Sequence, residues 1–191
     1  RDSSMSDLGY LTNQFLIAMP NLLDPNFFHS VTYICEHNEN GAMGIVINQP
    51  VDLTLGELIS QIGTDRAPTD LFDQPVYRGG PVETERGFVL HQPIGDWDST
   101  LPITDVIGIS TSNDIIEAIA AGNGPKQCLV ALGYAGWGAG QLEQEMADNA
   151  WLSGPADTRI IFDTQVERRW EEAARLLGVD INQLSGDAGH A

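Results

Sequence analysis

Hydrophobic and polar positions change period along this chain, and the changes mark its elements. Phe15 to Ala18 is an unbroken apolar run closed by Pro20, of strand length, and Asp24-Pro25 opens a turn ahead of Phe27 and Phe28. Val31 to Glu36 alternates, with Val31, Tyr33 and Cys35 on one face and Thr32, Ile34 and Glu36 on the other, which predicts a second strand. The polar stretch from His37 to Gly41 turns the chain, the Asn40-Gly41 pair tolerating positive φ. Met43 to Asn48 then returns as the other strand of a hairpin.

Thr54-Leu55-Gly56-Glu57 has the spacing of a capping box, and Leu55, Leu58, Ile59 and Ile62 follow at helical intervals. Residues 63–75 are polar and punctuated by Pro68 and Pro75, as a surface loop would be. Val76-Tyr77 and Gly87 to Leu90 read as strands joined through Arg78-Gly79-Gly80-Pro81. Ile107 to Ser110 is a further strand, followed by a helix over Ile115 to Ala121 that stops at Gly122. Cys128 to Leu132 is almost wholly apolar, as expected of a central strand covered on both faces. It leads into a glycine run from Gly133 to Gly140 and a helix carrying Leu142 and Met146. Arg159 to Phe162 reads as one more strand. Thr164 with Glu167 repeats the capping-box spacing ahead of a helix whose stripe is Val166, Trp170, Ala173 and Leu177, closed by Gly178. Residues 1–7 and 186–191 have nothing to bury and are expected to be disordered tails of one domain over 1–191. This interleaving, with its hairpin, lacks the regular alternation of a doubly wound sheet, so the class is α+β with antiparallel pairing.

Charge narrows the choice of partners. The chain has 27 acidic and 9 basic residues for a net charge of −18, and Lys126 is its only lysine. Such a field repels phosphate backbones and anionic lipid, so direct nucleic-acid or membrane binding is not expected. The one adjacent basic pair, Arg168 and Arg169, sits among Glu167, Glu171 and Glu172 and reads as a salt-bridged helix face. No apolar run behind a basic stretch suggests a signal peptide, and none approaches the roughly 20 residues of a spanning helix. Cys35 and Cys128, both in apolar runs, point to free thiols and a cytoplasmic setting.

Three constellations could carry chemistry. Cys35 and His37 would share a strand face with their side-chain bases about 6.5 to 7 Å apart. That pairs a nucleophile with a base only after reorientation; a core thiol beside a hairpin imidazole is the favoured reading. The glycine run could leave N–H groups free at a helix start, making Gly136, Trp137, Gly138, Gln141 and Glu143 candidates for ligand binding, although a tight turn needs no ligand. Arg78, Gly79, Gly80, Arg86 and His91 could grip an anion, or the arginines could simply pair with surface carboxylates. HExxH, CxxC, GxSxG, Walker and EF-hand patterns are missing, so no metal site or cofactor is indicated.

The segments Phe15 to Pro20, Ser30 to Asn38, Gly41 to Asn48, Gly79 to Val82, Arg86 to His91, Ala131 to Trp137 and Gly140 to Glu143 together resemble the AlgH/YqgE family of bacterial proteins, over about Leu8 to Leu184. The resemblance implies a branched, mostly antiparallel sheet rolled into a pseudo-barrel with flanking helices. It implies no established reaction; members are often labelled transcriptional regulators. The expectation that follows is a cytoplasmic regulatory module that binds a small anionic molecule or a protein partner at the three constellations and acts indirectly on gene expression. Its rival is an enzyme using Cys35 or His37 on a small anionic substrate.

Overall fold

A computed structural model describes residues 10–19, 29–61 and 73–178. The expected turn at Asp24-Pro25, Ile62, most of the 63–75 loop and both tails lie outside these residues. The expected class is observed: an antiparallel sheet curls into a half-barrel flanked by helices.

Among the described residues the sheet has ten strands. One edge begins with β10 (Trp151–Pro155), which pairs with β1 (Gln14–Ala18), then β2 (Val31–Asn38) and β3 (Gly41–Val46). Next comes β9 (Gln127–Trp137), followed by β6 (Val82–Gln92), β8 (Gly108–Ser110) and β7 (Thr100–Pro102). The branch arises at β9. One of its edges pairs with β6, while the other pairs first with β5 (Pro75–Arg78) in parallel and then with β3. Strand β4 (Pro50–Thr54) pairs with β5 and leads into α1 (Leu55–Gln61). The remaining helices are α2 (Asn113–Ala121), α3 (Gln141–Ala147), α4 (Thr158–Phe162) and α5 (Val166–Leu176).

Three apolar clusters show why β9 is so hydrophobic. Its Leu129 and Ala131 join Tyr33, Ile45, Phe88 and Leu90 in the interior, closed by Ile160 and Ile161 of α4 and Ala173 of α5. Its Cys128 and Val130 face the other way, under Leu55 and Ile59 of α1 and Ile115 and Ile119 of α2. Ala135 and Trp137 pack with Leu142 of α3. Both faces are buried, so alternation vanishes.

Two irregularities change which face a side chain takes. In β2, Ile34 pairs with Gly44 but Glu36 pairs with Met43, so Cys35 is an inserted residue. In β9, Leu132 pairs with Gly87 and Tyr134 with Val82, leaving residues 83–86 of β6 to arch over Gly133. A Cβ on Gly133 would stand 2.6 Å from the Gly80 carbonyl oxygen, and its φ of +79° suits glycine, so this residue is what lets the arch close down.

Some expected elements take another form. The first capping box is present, with Thr54 N–H donating to Glu57 Oε1 at 2.8 Å and Glu57 N–H to Thr54 Oγ1 at 3.1 Å. The second is absent. Thr164 Oγ1 instead donates to the Arg159 carbonyl at 3.0 Å, and Gln165 occupies the N-cap of α5. Residues 159–162 are helix, not strand: four apolar-rich residues fit either period, and the Asp157 carboxylate accepting from Arg159 N–H at 2.9 Å settles the helical start. The glycine run is not one turn either, because Gly133 and Gly136 stay within β9. Finally, Arg168 pairs with Glu172 at 2.9 Å as expected, but Arg169 turns inward and is buried.

Candidate functional site

The insertion at Cys35 decides what the end of β2 can do. It leaves Cys35 in the interior beside Tyr33 and sends His37 toward α3, so the two do not share a face. Cys35 is 2% exposed, and its Sγ donates to the Tyr33 carbonyl at 3.6 Å. Burial, reinforced by the charge of Glu36, pushes the thiol far above its ordinary range. A protonated thiol sealed in the core has neither the ionisation nor the access for nucleophilic attack. His37 is buried too. Its Nδ1 accepts from Leu11 N–H at 2.9 Å, its Nε2 faces Glu143 Oε2 at 3.3 Å, and the Tyr10 ring meets it edge-on.

The same insertion turns Glu36 and Asn38 to the interior side, where they border a cleft of about 720 Å³. Phe88 and Tyr134, edge to face with centroids 5.5 Å apart, line it together with Met43 and Trp137. The arch of β6 contributes Glu83 and Arg86. Glu83 reaches this position through a left-handed backbone at φ +49°, unusual for a residue with a side chain. Arg86 donates to Glu83 Oε1 at 3.1 Å, with its guanidinium 5.6 Å from the Phe88 ring centre. The cleft therefore offers three aromatic rings and two carboxylates against one guanidinium that is already engaged.

Of the residues singled out in the sequence, Arg86, Gly136 and Trp137 line this cleft. Gly138, Gln141 and Glu143 do not line it; they lie at the turn into α3 and in its first residues. Gly138 N–H donates to Gln141 Oε1 at 2.9 Å, and Gln141 passes the bond to Glu145 Oε2 at 3.0 Å. Glu145 Oε1 also accepts from the indoles of Trp137 and Trp151, at 2.9 and 2.8 Å, which fastens the end of β9 to α3 and β10.

Arg78, Gly79, Gly80 and His91 are not brought to the cleft. Gly79 and Gly80 are buried where the chain crosses β9 at contact distance, and a Cβ on Gly80 would sit 2.1 Å from the Tyr134 carbonyl carbon. His91 is fully buried: Nδ1–H donates to the Pro93 carbonyl at 3.0 Å, which leaves Nε2 to accept from Ser110 Oγ at 2.8 Å. Burial holds its pKa below the usual value for histidine. Among the described residues no group of three His, Cys, Asp or Glu side chains could hold a metal ion, and no helix is long and apolar enough to cross a membrane.

Sequence reading missed Glu36, Asn38, Glu83 and Tyr134 as cleft residues. The insertion and the arch that present them leave no mark on the hydrophobic period. Only the glycine at 133 hints that something must pass close by.

The fold and this cleft can now be set beside known proteins. A family model described as AlgH-like matches residues 15–182. The chain belongs to the AlgH-like family. Among its relatives, a UPF0301 protein of Thioalkalivibrio sulfidiphilus is 62% identical over 180 residues, 94% of this chain and 96% of that one. One from Nitrosococcus oceani is 55% identical, covering 98% of this chain and all of its own length. The solution structure of the AlgH protein from Pseudomonas aeruginosa superposes on this AlgH-like chain with a TM-score of 0.78 at 51% identity, covering 96% of this chain and 97% of that one. A crystal structure from Corynebacterium diphtheriae shares the fold at a TM-score of 0.71 and 20% identity, over 88% of this chain and 87% of that one.

Proposed function

We propose that this AlgH-like protein is a binding module of the cytoplasm that captures a positively charged partner segment in the cleft between the β2–β3 hairpin, the β6 arch and the end of β9. The observation that carries the reading is the composition of the cleft. Half-buried Tyr134 and Met43, backed by the largely buried Phe88 and Trp137, supply apolar area, and Glu36 and Glu83 leave a local excess of negative charge over Arg86. Aromatic rings offer contact area at low entropic cost, and exposed carboxylates steer and orient a basic partner. The net charge of −18 extends the same steering over the whole molecule.

This composition redirects the expected anionic ligand away from Arg86. An anion there would have to share Arg86 with Glu83 and sit close to Glu36, so it would meet two carboxylates for one guanidinium. Catalysis through Cys35 loses its support as well, since that thiol is buried and protonated. An effect on gene expression would then run through a protein partner and not through contact with DNA.

Selection from an unbiased peptide library tests the reading. Enriched sequences should combine Lys or Arg with an aromatic residue, and binding should be lost in Glu36→Lys and Glu83→Lys proteins, whose substitutions sit at exposed positions and should leave thermal stability unchanged. Gly136→Leu, which adds bulk 3.1 Å from the Tyr134 ring at the Cβ alone, should block the cleft. Enrichment of acidic peptides, or binding indifferent to Glu36→Lys, would refute the proposal.

A further inference from the structure

Arg169 is the anomaly in this molecule. It is 6% exposed on α5, in a chain with 27 acidic residues, yet among the described residues no carboxylate lies within 4 Å of its guanidinium. Its Nε–H donates to the Thr164 carbonyl at 3.0 Å, one Nη–H donates to the Ile47 carbonyl, and the group stacks 5.0 Å from the centre of the Tyr77 ring. These contacts engage two of five N–H donors and neutralise none of the charge. Burying a cation without a counter-charge costs several kcal/mol, and a nearby glutamate would have been the ordinary remedy.

The guanidinium lines a second cleft, of about 630 Å³, separate from the one described above. Its accessible apolar walls are Pro75, Phe162 and Val166, over buried Leu129 and Ile161, while Thr164 and Gln165 bring the start of α5 to it. The Gln165 side chain makes no capping bond there, so the first-turn N–H groups add positive potential on the side of Arg169. Asp163 and Glu167 also border the cleft. Asp163 Oδ1 accepts from Gln127 Nε2 at 2.9 Å, and Glu167 is exposed.

We infer that this cleft binds a small monocarboxylate, its carboxylate on Arg169 and its carbon tail along Pro75, Phe162 and Val166. The planar guanidinium matches a carboxylate with paired N–H donors, and a fixed, buried arginine has little entropy left to lose. Asp163 and Glu167 disfavour a second negative charge, so a monoanion fits better than phosphate. The anionic ligand expected from the sequence thus belongs at Arg169 and not at Arg78 or Arg86.

Hexanoate titrated into isotopically labelled protein is the direct test, with hexanol and inorganic phosphate as controls. Saturable shifts are expected at Tyr77, Thr164, Gln165 and Arg169 with hexanoate, none with hexanol and weaker ones with phosphate. Arg169→Gln should weaken hexanoate binding by roughly tenfold or more. That variant also loses its contacts to two carbonyls, so Gln165→Trp provides a second arm. It blocks the mouth from an exposed position, leaves Arg169 in place and should abolish the shifts. Lack of saturation by about 10 mM hexanoate, equal binding of hexanol, shifts mapping elsewhere, or unchanged binding in Gln165→Trp would each overturn the inference.

Discussion

His37 Nε2 and Glu143 Oε2 stand 3.3 Å apart, joining the end of β2 to the first turn of α3, while the other ring nitrogen of His37 accepts from Leu11 N–H. The imidazole is thus a spacer between three parts of the chain. Its side chain is almost wholly buried, whereas that of Glu143 is 42% exposed. His37→Ala should destabilise the protein by about 2 to 4 kcal/mol, because it opens a cavity and orphans a backbone donor. Glu143→Gln should cost less than about 1 kcal/mol. Urea denaturation of the two variants checks the order, and a larger effect at Glu143 would contradict it.

Glu145 holds two indole N–H groups on one oxygen. Glu145→Ala removes that acceptor from both and should cost about 2 to 3 kcal/mol, while Glu145→Gln keeps a carbonyl oxygen and should retain most of the stability. Trp137 and Trp151 lie edge to face at 5.9 Å beside this carboxylate, so tryptophan fluorescence should change in the alanine variant and much less in the glutamine one.

The buried His91 gives the protein a pH dependence of defined sign. Its folded pKa lies below the reference value of 6.5, so in acid the unfolded chain binds a proton that the folded one refuses. Stability present above pH 6.5 is therefore lost as the pH falls toward the folded pKa. His91→Gln should be less stable at neutral pH but should show a shallower decline between about pH 6.5 and 5.5 than the parent. Parallel slopes in that window would exclude His91 as the cause.

Both thiols should be silent in the native protein. Cys35 and Cys128 are unpaired and buried, and burial raises the Cys128 pKa to about 12 and that of Cys35 further still. A thiol reagent at neutral pH should label neither until denaturant is added, after which both should react. Rapid labelling of folded protein would show an opening that the packing around these residues does not suggest.

What could be read from the sequence follows from which features are periodic. The hairpin between Cys35 and Met43, the capping box at Thr54 and the doubly covered strand at Cys128 are local patterns, and each is found where expected. The site is harder to read because it depends on departures from pattern. Strict alternation puts Cys35 and His37 together, and one inserted residue separates them and turns Glu36 to the cleft instead. Arg169 lies among glutamates in sequence but among carbonyls and a tyrosine ring in space, since its position on α5 faces β5 and not solvent. Gly79 and Gly80 look like a ligand loop until Tyr134 is seen pressed against them.

Strand β9 is gripped along both edges, by β6 on one and by β5 then β3 on the other. Near one end it carries Leu129 into the Arg169 cleft, and near the other Gly136 into the aromatic cleft. Seven residues of chain, extended except at Gly133, set these two points at most about 23 Å apart. Paired with β6 as far as Tyr134, with β5 at Ala131 and Leu132, and with β3 from Ala135 onward, β9 has a partner strand at both points and acts as a ruler between the clefts. Its amide protons should be the last to exchange with solvent, and two occupants bound at once would be held at a spacing fixed by the length of a strand.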